Sequence, residues 1–161
     1  MNICALDMEM NRKYPLAVGL AFDSKAGKLI TIDQQGREPD WYVKKHICTD
    51  PEIWEGTTHV KFAWATMFNA VKDFDIIFSW GKEVGHIMKF AEAAGADIRQ
   101  LQHVAIKLNN AQRLFDNPVK LQDMYAEFGS GRVLKWHNPL SDAIATLELG
   151  TVGLQRRLFI S

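Results

Sequence analysis

Residues 2 to 9 read NICALDME, and this stretch decides how the rest of the chain is interpreted. Its side chains alternate as in a β-strand, because successive residues of a strand point to opposite faces. One face carries Ile3 and Ala5 and then two acids, Asp7 and Glu9, while the other face is apolar. At a rise of ~3.3 Å per residue the two acids are about 7 Å apart along the strand. The pattern predicts a strand that ends in two carboxylates.

The segments that follow predict an α/β domain. Residues 16 to 22 and 28 to 33 are β-rich runs separated by DSKAG, which suits a hairpin turn, so the chain opens as a three-stranded antiparallel meander. Residues 34 to 57 show no period and are predicted as a loop with an extended piece at 41 to 43. The later segments are predicted as helices at 58–71, 82–94, 119–128 and 139–158, and as strands at 75–80 and 103–108. This order predicts a mixed five-stranded sheet flanked by helices.

The bulk properties favour one globular domain over residues 1 to 161. Hydrophobic residues make up 47% of the chain and charged residues 24%, which excludes a disordered chain. The 19 basic and 19 acidic residues cancel, so a nucleic-acid site would need a local basic patch. No signal peptide or membrane span is predicted, and the protein is expected to be cytoplasmic with both cysteines reduced.

A second motif, HNPLSDAIATLEL at 137 to 149, combines a histidine and an acid at the start of a predicted helix. Pro139 suits the first turn of that helix, so His137 and Asp142 would meet at its entrance. Each motif also has a simpler explanation. His137 could be a polar loop residue and Asp142 a favourable charge near a helix N-terminus, while the acids of the first strand could be a solvated strand end.

Together the two motifs resemble the DEDDh group of 3'-5' exonucleases, which carry Asp-x-Glu on the first strand and His-x-x-x-x-Asp-Ala on the last helix. Here these are Asp7 to Glu9 and His137 to Ala143. The resemblance extends to KLQDMYAEFG at 120–129 and to the order of elements across nearly the whole chain. FSWG at 78–81 is similar to the strand end that leads into the second acidic motif, particularly in the branch that trims structured RNA 3' ends. The resemblance implies an RNase H-like fold.

The resemblance also implies a reaction and its residues. Asp7, Glu9 and Asp142 would hold two divalent ions, Mg²⁺ or Mn²⁺, for hydrolysis of phosphodiester bonds. His137 would act as general base, since an imidazole with a pKa near 6.5 accepts a proton at neutral pH. The substrate would be a single-stranded 3' end of RNA or DNA, with Met10 as the nearest substrate-binding candidate. Other aromatic candidates for stacking on bases are Trp41, Tyr42, Trp54, Trp80 and Trp136.

The sequence departs from the family pattern at one position. The family places an Asp three residues after the glycine of FSWG, and this chain has Val84 there. Glu83 is adjacent and is predicted as the substitute metal ligand, provided that the helix begins later or its first turn is distorted. The alternative is that Val84 is a core residue, Glu83 is solvated and the second metal position is impaired.

Two other functions are compatible with the sequence. The missing acid suggests a catalytically weakened module that binds nucleic acid on the same fold. A domain for protein–protein interaction, in which the two motifs coincide by chance, is a second alternative. Turnover with Mn²⁺ separates the first alternative from an exonuclease, and metal-dependent thermal stabilisation would argue against the second.

Overall fold

The structure, a computed structural model, describes residues 1–23 and 26–160. Five strands form one mixed sheet in the order β3-β2-β1-β4-β5. The strands are β1 (Ile3–Asn11), β2 (Tyr14–Ala21), β3 (Gly27–Thr31), β4 (Ile76–Ser79) and β5 (Leu108–Asn110). β1, β2 and β3 are antiparallel, and β4 and β5 run parallel to β1. The predicted meander and the mixed five-stranded sheet are confirmed, while Ser24 and Lys25 of the predicted turn lie outside the described residues.

Helices cover both faces of the sheet. The helices of the described part of the chain are α1 (Trp41–His46), α2 (Pro51–Trp54), α3 (Val60–Val71), α4 (Val84–Ala94), α5 (Ile98–Ala105), α6 (Leu121–Phe128) and α7 (Pro139–Ile160). α3 and α4 pack on one face, and α7 packs on the other with α6 against it. The predicted helices at 58–71, 82–94, 119–128 and 139–158 correspond to α3, α4, α6 and α7.

The alternation of β1 divides the core as the sequence predicts. Cys4, Leu6 and Met8 are buried on the face covered by α3 and α4. Ala5 lies on the opposite face, in a cluster with Phe78 and three residues of α7. The small side chain of Ala5 leaves room for α7 to lie close to the central strand. The acids that follow Ala5 on this face therefore point toward α7.

The prediction of a loop at 34 to 57 with an extended piece at 41 to 43 is wrong, because this segment contains α1 and α2. Oδ1 of Asp40 accepts a hydrogen bond of 2.8 Å from the amide of Val43, so Asp40 caps α1. Pro51 occupies the first position of α2. Both helices are shorter than two turns, which is too short for a hydrophobic period to show in the sequence.

The strand predicted at 103 to 108 is also wrong for most of its length. Residues 98 to 105 form α5, which begins after Asp97, whose side chain accepts a hydrogen bond from the amide of Arg99. The strand itself is confined to Leu108–Asn110. The β-branched and apolar residues of HVAIKL favour a strand by propensity, but the cap at Asp97 starts a helix upstream that runs through them.

Neither cysteine forms a disulfide: Cys4 is buried, and Cys48 is partly buried beside α1 and α2. No helix among the described residues is both long and apolar enough to cross a membrane.

Candidate functional site

Three carboxylates from opposite ends of the sequence meet on the α7 face of β1. Asp7 and Glu9 come from β1, and Asp142 comes from the first turn of α7. One carboxylate oxygen of each residue can be chosen so that all three lie within 4.8 Å of one another. The structure thus brings together the three acids that the two sequence motifs predict as metal ligands.

The sheet is open where these acids lie. β4 pairs with β1 only from Ile3 to Ala5, so the part of β1 that carries Asp7 and Glu9 continues beyond its parallel neighbour. On the other side, β2 stays paired, with a register shift between Glu9 and Met10. Ligands of open α/β sheets bind beyond the carboxyl ends of the strands, and the acids lie toward that end of β1.

A glycine in β2 allows α7 to begin directly beside the acids. Gly19 pairs with Asp7 across the sheet, and a Cβ placed on Gly19 would lie 2.1 Å from the carbonyl carbon of Pro139. Oδ1 of Asn138 accepts a hydrogen bond of 3.0 Å from the amide of Leu140 and so caps the helix. The close approach at Gly19 sets the distance between the carboxylate of Asp142 and that of Asp7.

The cluster is electrostatically unfavourable without a cation. Burial raises the pKa of Asp7 well above its usual value, and the charges of Asp142, Glu83 and Glu9 raise it further. Burial raises the pKa of Glu9 to about 8, with contributions from Asp142 and Glu83. Burial also raises the pKa of Asp142 to about 7, against the opposing effect of its hydrogen bond with Asp7. Burial and like charge both disfavour the ionised carboxylates, which a bound cation would stabilise.

His137 lies at the entrance of α7, where the sequence places it. Its φ of 67° is in the left-handed region, which non-glycine residues seldom adopt, and its backbone amide donates a hydrogen bond to the carboxylate of Asp142. The side chain is exposed. Nδ1 of its ring lies 3.2 Å from the hydroxyl of Tyr42. The left-handed turn therefore joins the histidine and the acid of the second motif in one local structure.

The contribution of α1 to the site is not predicted from the sequence. The sequence predicts Tyr42 only as a candidate for stacking on bases and gives His46 no role, yet both rings lie beside that of His137. The ring of His46 lies 4.6 Å from that of Tyr42 and 5.4 Å from that of His137, centroid to centroid. The available signal was the spacing of four residues between Tyr42 and His46, which places them on one face once α1 is recognised as a helix.

Glu83 lies near the cluster but outside the set of three. α4 begins at Val84, and Glu83 is its N-cap residue. The helix therefore begins later than the predicted start at residue 82, which is the condition for Glu83 to act as a metal ligand. The Glu83 side chain is 10% exposed, and Oε2 lies 3.0 Å from Nδ1 of His86. Val84 is 44% exposed, so the alternative in which Val84 is a core residue is wrong. Gly81, with a φ of 93°, turns the chain between β4 and this position.

The remaining candidates occupy different environments. The side chain of Met10 is partly buried and packs against the core cluster on the α4 face, so its contact with substrate stays a prediction. Trp80 packs beside Phe115 and Trp136 beside Tyr125, which indicates structural roles for both tryptophans. Trp54 is partly buried among the residues under α1 and α2. Trp41, in contrast, is 73% exposed in the first turn of α1.

The fold and the site define an α/β protein with a mixed five-stranded sheet and a cluster of three carboxylates beside a histidine. Comparison with models of known protein families finds no match to the chain, and comparison with curated proteins finds no significant match either.

Proposed function

We propose that the protein is a metal-dependent 3'-5' exonuclease of the DEDDh group with an RNase H-like fold. The observation that carries this proposal is the convergence of Asp7, Glu9 and Asp142 beside His137. The two motifs that carry these residues lie at opposite ends of the sequence, and together they resemble the family. The strand order and the position of the acids on the central strand are compatible with that fold.

The donor atoms of the cluster suit divalent cations. Oδ2 of Asp7 and Oδ1 of Asp142 are buried and have no hydrogen-bond partner within the described residues. Buried polar atoms without partners are rare in proteins, and a bound ion is one of the explanations for them. Carboxylate oxygens are the ligands that Mg²⁺ and Mn²⁺ prefer. Asp7, Glu9 and Asp142 would hold the ions, with Glu83 as a fourth acid.

Different groups in the site suit the separate tasks of phosphodiester hydrolysis. A pair of divalent ions supplies a nucleophile from water and relieves the charge on the phosphate. The three carboxylates bind the ions and fix their position against the sheet. His137 stands outside the carboxylate set with an exposed ring, so it can accept the proton of the attacking water without serving as a ligand.

An exposed aromatic ring near His137 supports the proposal that the substrate is single-stranded. Trp41 precedes Tyr42 on α1, and the centroids of their rings are 6.0 Å apart, which places the indole next to the residue that contacts His137. Nucleobases stack on aromatic side chains whatever their sequence, and only unpaired bases are accessible for it. Lys44 and Lys45 are exposed on the same helix and are available to phosphates.

The direct test is a degradation ladder on end-labelled single-stranded RNA and DNA. With a 5' label, a 3'-5' exonuclease gives a ladder that shortens one nucleotide at a time, in Mg²⁺ or Mn²⁺ and not with chelator. A blocked 3' end should protect the substrate. Binding of the strand without shortening in either metal would instead support the alternative, a weakened nucleic-acid-binding module on the same fold, which is favoured by the absence of an acid at Val84.

The fourth acid is tested by a pair of variants. If Glu83 is a ligand, we expect Glu83→Gln to lower activity by about 10- to 100-fold and to raise the metal concentration needed, as changes around metal sites do. Val84→Asp should have little effect, because Val84 is exposed. Activity and calorimetric metal affinity are measured as Mg²⁺ is titrated.

Glu92→Gln is the matched control for Glu83→Gln, since Glu92 is an exposed residue of the same helix. An unchanged metal affinity in Glu83→Gln, together with a higher affinity in Val84→Asp, would remove Glu83 from the site. That result would identify Val84 as a lost ligand.

The stability of the metal-free protein should fall as pH rises. The pKa values of Glu9, about 8, and Asp142, about 7, exceed their values in an unfolded chain, so the folded state binds more protons from about pH 4 to pH 8. Their contribution is complete below the unfolded pKa and is lost as pH rises through the folded pKa. Thermal melting in chelator at pH 5.5 and 8.5 should show a lower Tm at pH 8.5.

Divalent ions should reverse this dependence, because ligand carboxylates must be deprotonated to bind metal. Mg²⁺ or Mn²⁺ should raise Tm strongly at pH 8.5 and weakly at pH 5.5. The control is NaCl of equal ionic strength without divalent ions. A Tm that does not change when the divalent ion is added, at either pH, would contradict the metal site. It would favour the protein-interaction domain.

A further inference from the structure

The ring of His137 is held by α1, the helix that also carries Trp41. The hydroxyl of Tyr42 lies 3.2 Å from Nδ1 of His137, and the two rings meet edge to face. His46, one turn further along α1, packs near both rings. An exposed imidazole on a loop would otherwise sample several rotamers. The contact therefore orients a side chain that the loop alone would leave mobile.

α1 is itself fixed to the strand that carries the acids. Oδ2 of Asp40, the residue before α1, accepts a hydrogen bond of 2.9 Å from the amide of Arg12 at the end of β1. The amide of Asp40 donates to Oδ1 of Asn11, which is buried. An ion pair of 2.7 Å between Lys135 and Asp50 joins the segment before His137 to the start of α2. Tyr42 and His137 thus approach each other from two anchored segments.

The charges around the hydroxyl favour one direction for this hydrogen bond, in which either atom can be the donor depending on the tautomer of His137. Burial and the negative charges of Glu9, Asp142 and Asp7 raise the pKa of Tyr42, so its hydroxyl stays protonated. When these carboxylates are ionised, an orientation of the hydroxyl hydrogen toward them is favourable. In that orientation the lone pairs of the oxygen face Nδ1, and Nδ1 carries the hydrogen of the shared hydrogen bond.

We propose that Tyr42 is a positioning residue for His137. Its hydroxyl accepts a hydrogen bond from Nδ1–H and so holds the neutral imidazole in the tautomer whose Nε2 has no hydrogen. The second nitrogen is then ready to accept a proton from water, since the hydrogen bond made by one ring nitrogen decides which nitrogen is protonated. The role of this tautomer in catalysis rests on the proposed exonuclease function, but the tautomer itself does not.

The tautomer is measured directly by NMR of the metal-free protein labelled with ¹⁵N at histidine. At about pH 9, well above the usual imidazole pKa of ~6.5, long-range ¹H–¹⁵N correlations show which ring nitrogen carries the hydrogen. A His137→Gln variant assigns the signal. We expect Nδ1–H in the wild type and mainly Nε2–H in Tyr42→Phe, which keeps the ring but lacks the hydroxyl.

Tyr14→Phe is the matched control, because the hydroxyl of Tyr14 is buried and has no hydrogen-bond partner within the described residues. It should leave the His137 signal unchanged. An Nε2–H tautomer in the wild type would overturn the proposal, and so would an identical tautomer in wild type and Tyr42→Phe.

The cleavage assay supplies the catalytic readout. Tyr42→Phe should lower kcat by about 10- to 100-fold, the range seen when groups that orient a site residue are removed, and leave KM and the required metal concentration unchanged. A wild-type kcat in Tyr42→Phe would exclude the positioning role. If the wild type cleaves no substrate, the proposed function fails, while the NMR comparison still decides whether Tyr42 sets the tautomer of His137.

Discussion

Asp7→Asn is expected to reduce hydrolysis by ~1,000-fold or more, because metal ions contribute several kcal/mol to such reactions and 1.4 kcal/mol is a factor of ten. The same substitution should stabilise the metal-free protein by about 1 to 3 kcal/mol at pH 8, since it replaces a carboxyl group whose ionisation is opposed by burial and by the neighbouring acids. Single-turnover cleavage and urea unfolding in chelator measure the two effects. Their opposite directions separate loss of a ligand from loss of the fold.

Asp73→Asn is the matched control for this variant. Asp73 is an exposed carboxylate between α3 and β4, far from the acidic cluster in the fold. Its replacement should leave both hydrolysis and stability near the wild-type values. Wild-type turnover in Asp7→Asn would exclude Asp7 from the site. A loss of stability in chelator would show that the carboxylate of Asp7 does not destabilise the metal-free protein.

Gly19→Ala should destabilise the fold by about 3 to 5 kcal/mol, a large part of the ~5 to 15 kcal/mol that domains usually have. The added methyl carbon would lie 2.1 Å from the carbonyl carbon of Pro139, and backbone atoms cannot move aside as a flexible side chain does. α7 would have to move away from β2. Urea unfolding measures the loss, and the metal affinity of any folded protein should fall because Asp142 moves with the helix.

Gly85→Ala is the control for the glycine substitution. Gly85 lies in the first turn of α4 and a Cβ there would have no neighbour within 4 Å. Alanine favours a helix over glycine by up to ~1 kcal/mol, so this variant should be as stable as the wild type or slightly more stable. Equal stabilities of Gly19→Ala and Gly85→Ala would contradict the close packing of α7 on β2.

The parts of the fold with a clear side-chain period could be predicted from the sequence. The alternation in β1 and the helical spacing of α3 and α7 reflect burial on one face, which the sequence records directly. α1 and α5 could not be predicted in this way, because their boundaries depend on the capping side chains of Asp40 and Asp97. Capping was visible in the sequence only as a single Asp before each helix, which is a weak signal without the structure.

The residues of the candidate site also fall into those that could be predicted from the sequence and those that could not. Asp7, Glu9, Asp142 and His137 are predictable because each belongs to a motif with defined spacing. Tyr42 and Gly19 are not, since their importance arises from contacts with residues far away in the sequence. The position of Glu83 needed the structure as well, because one residue of difference in the start of α4 decides which side chain turns inward.

The packing of α7 on β1 also determines when the acidic cluster can exist. A nascent chain that has not yet produced Pro139 carries Asp7 and Glu9 on a strand without the partner helix, and Asp142 has not been made. Contacts between distant parts of a chain form late, because a long loop must close before they are gained. The acidic cluster, and any metal site that it forms, is therefore completed only after the start of α7 has been synthesised and packed on β1.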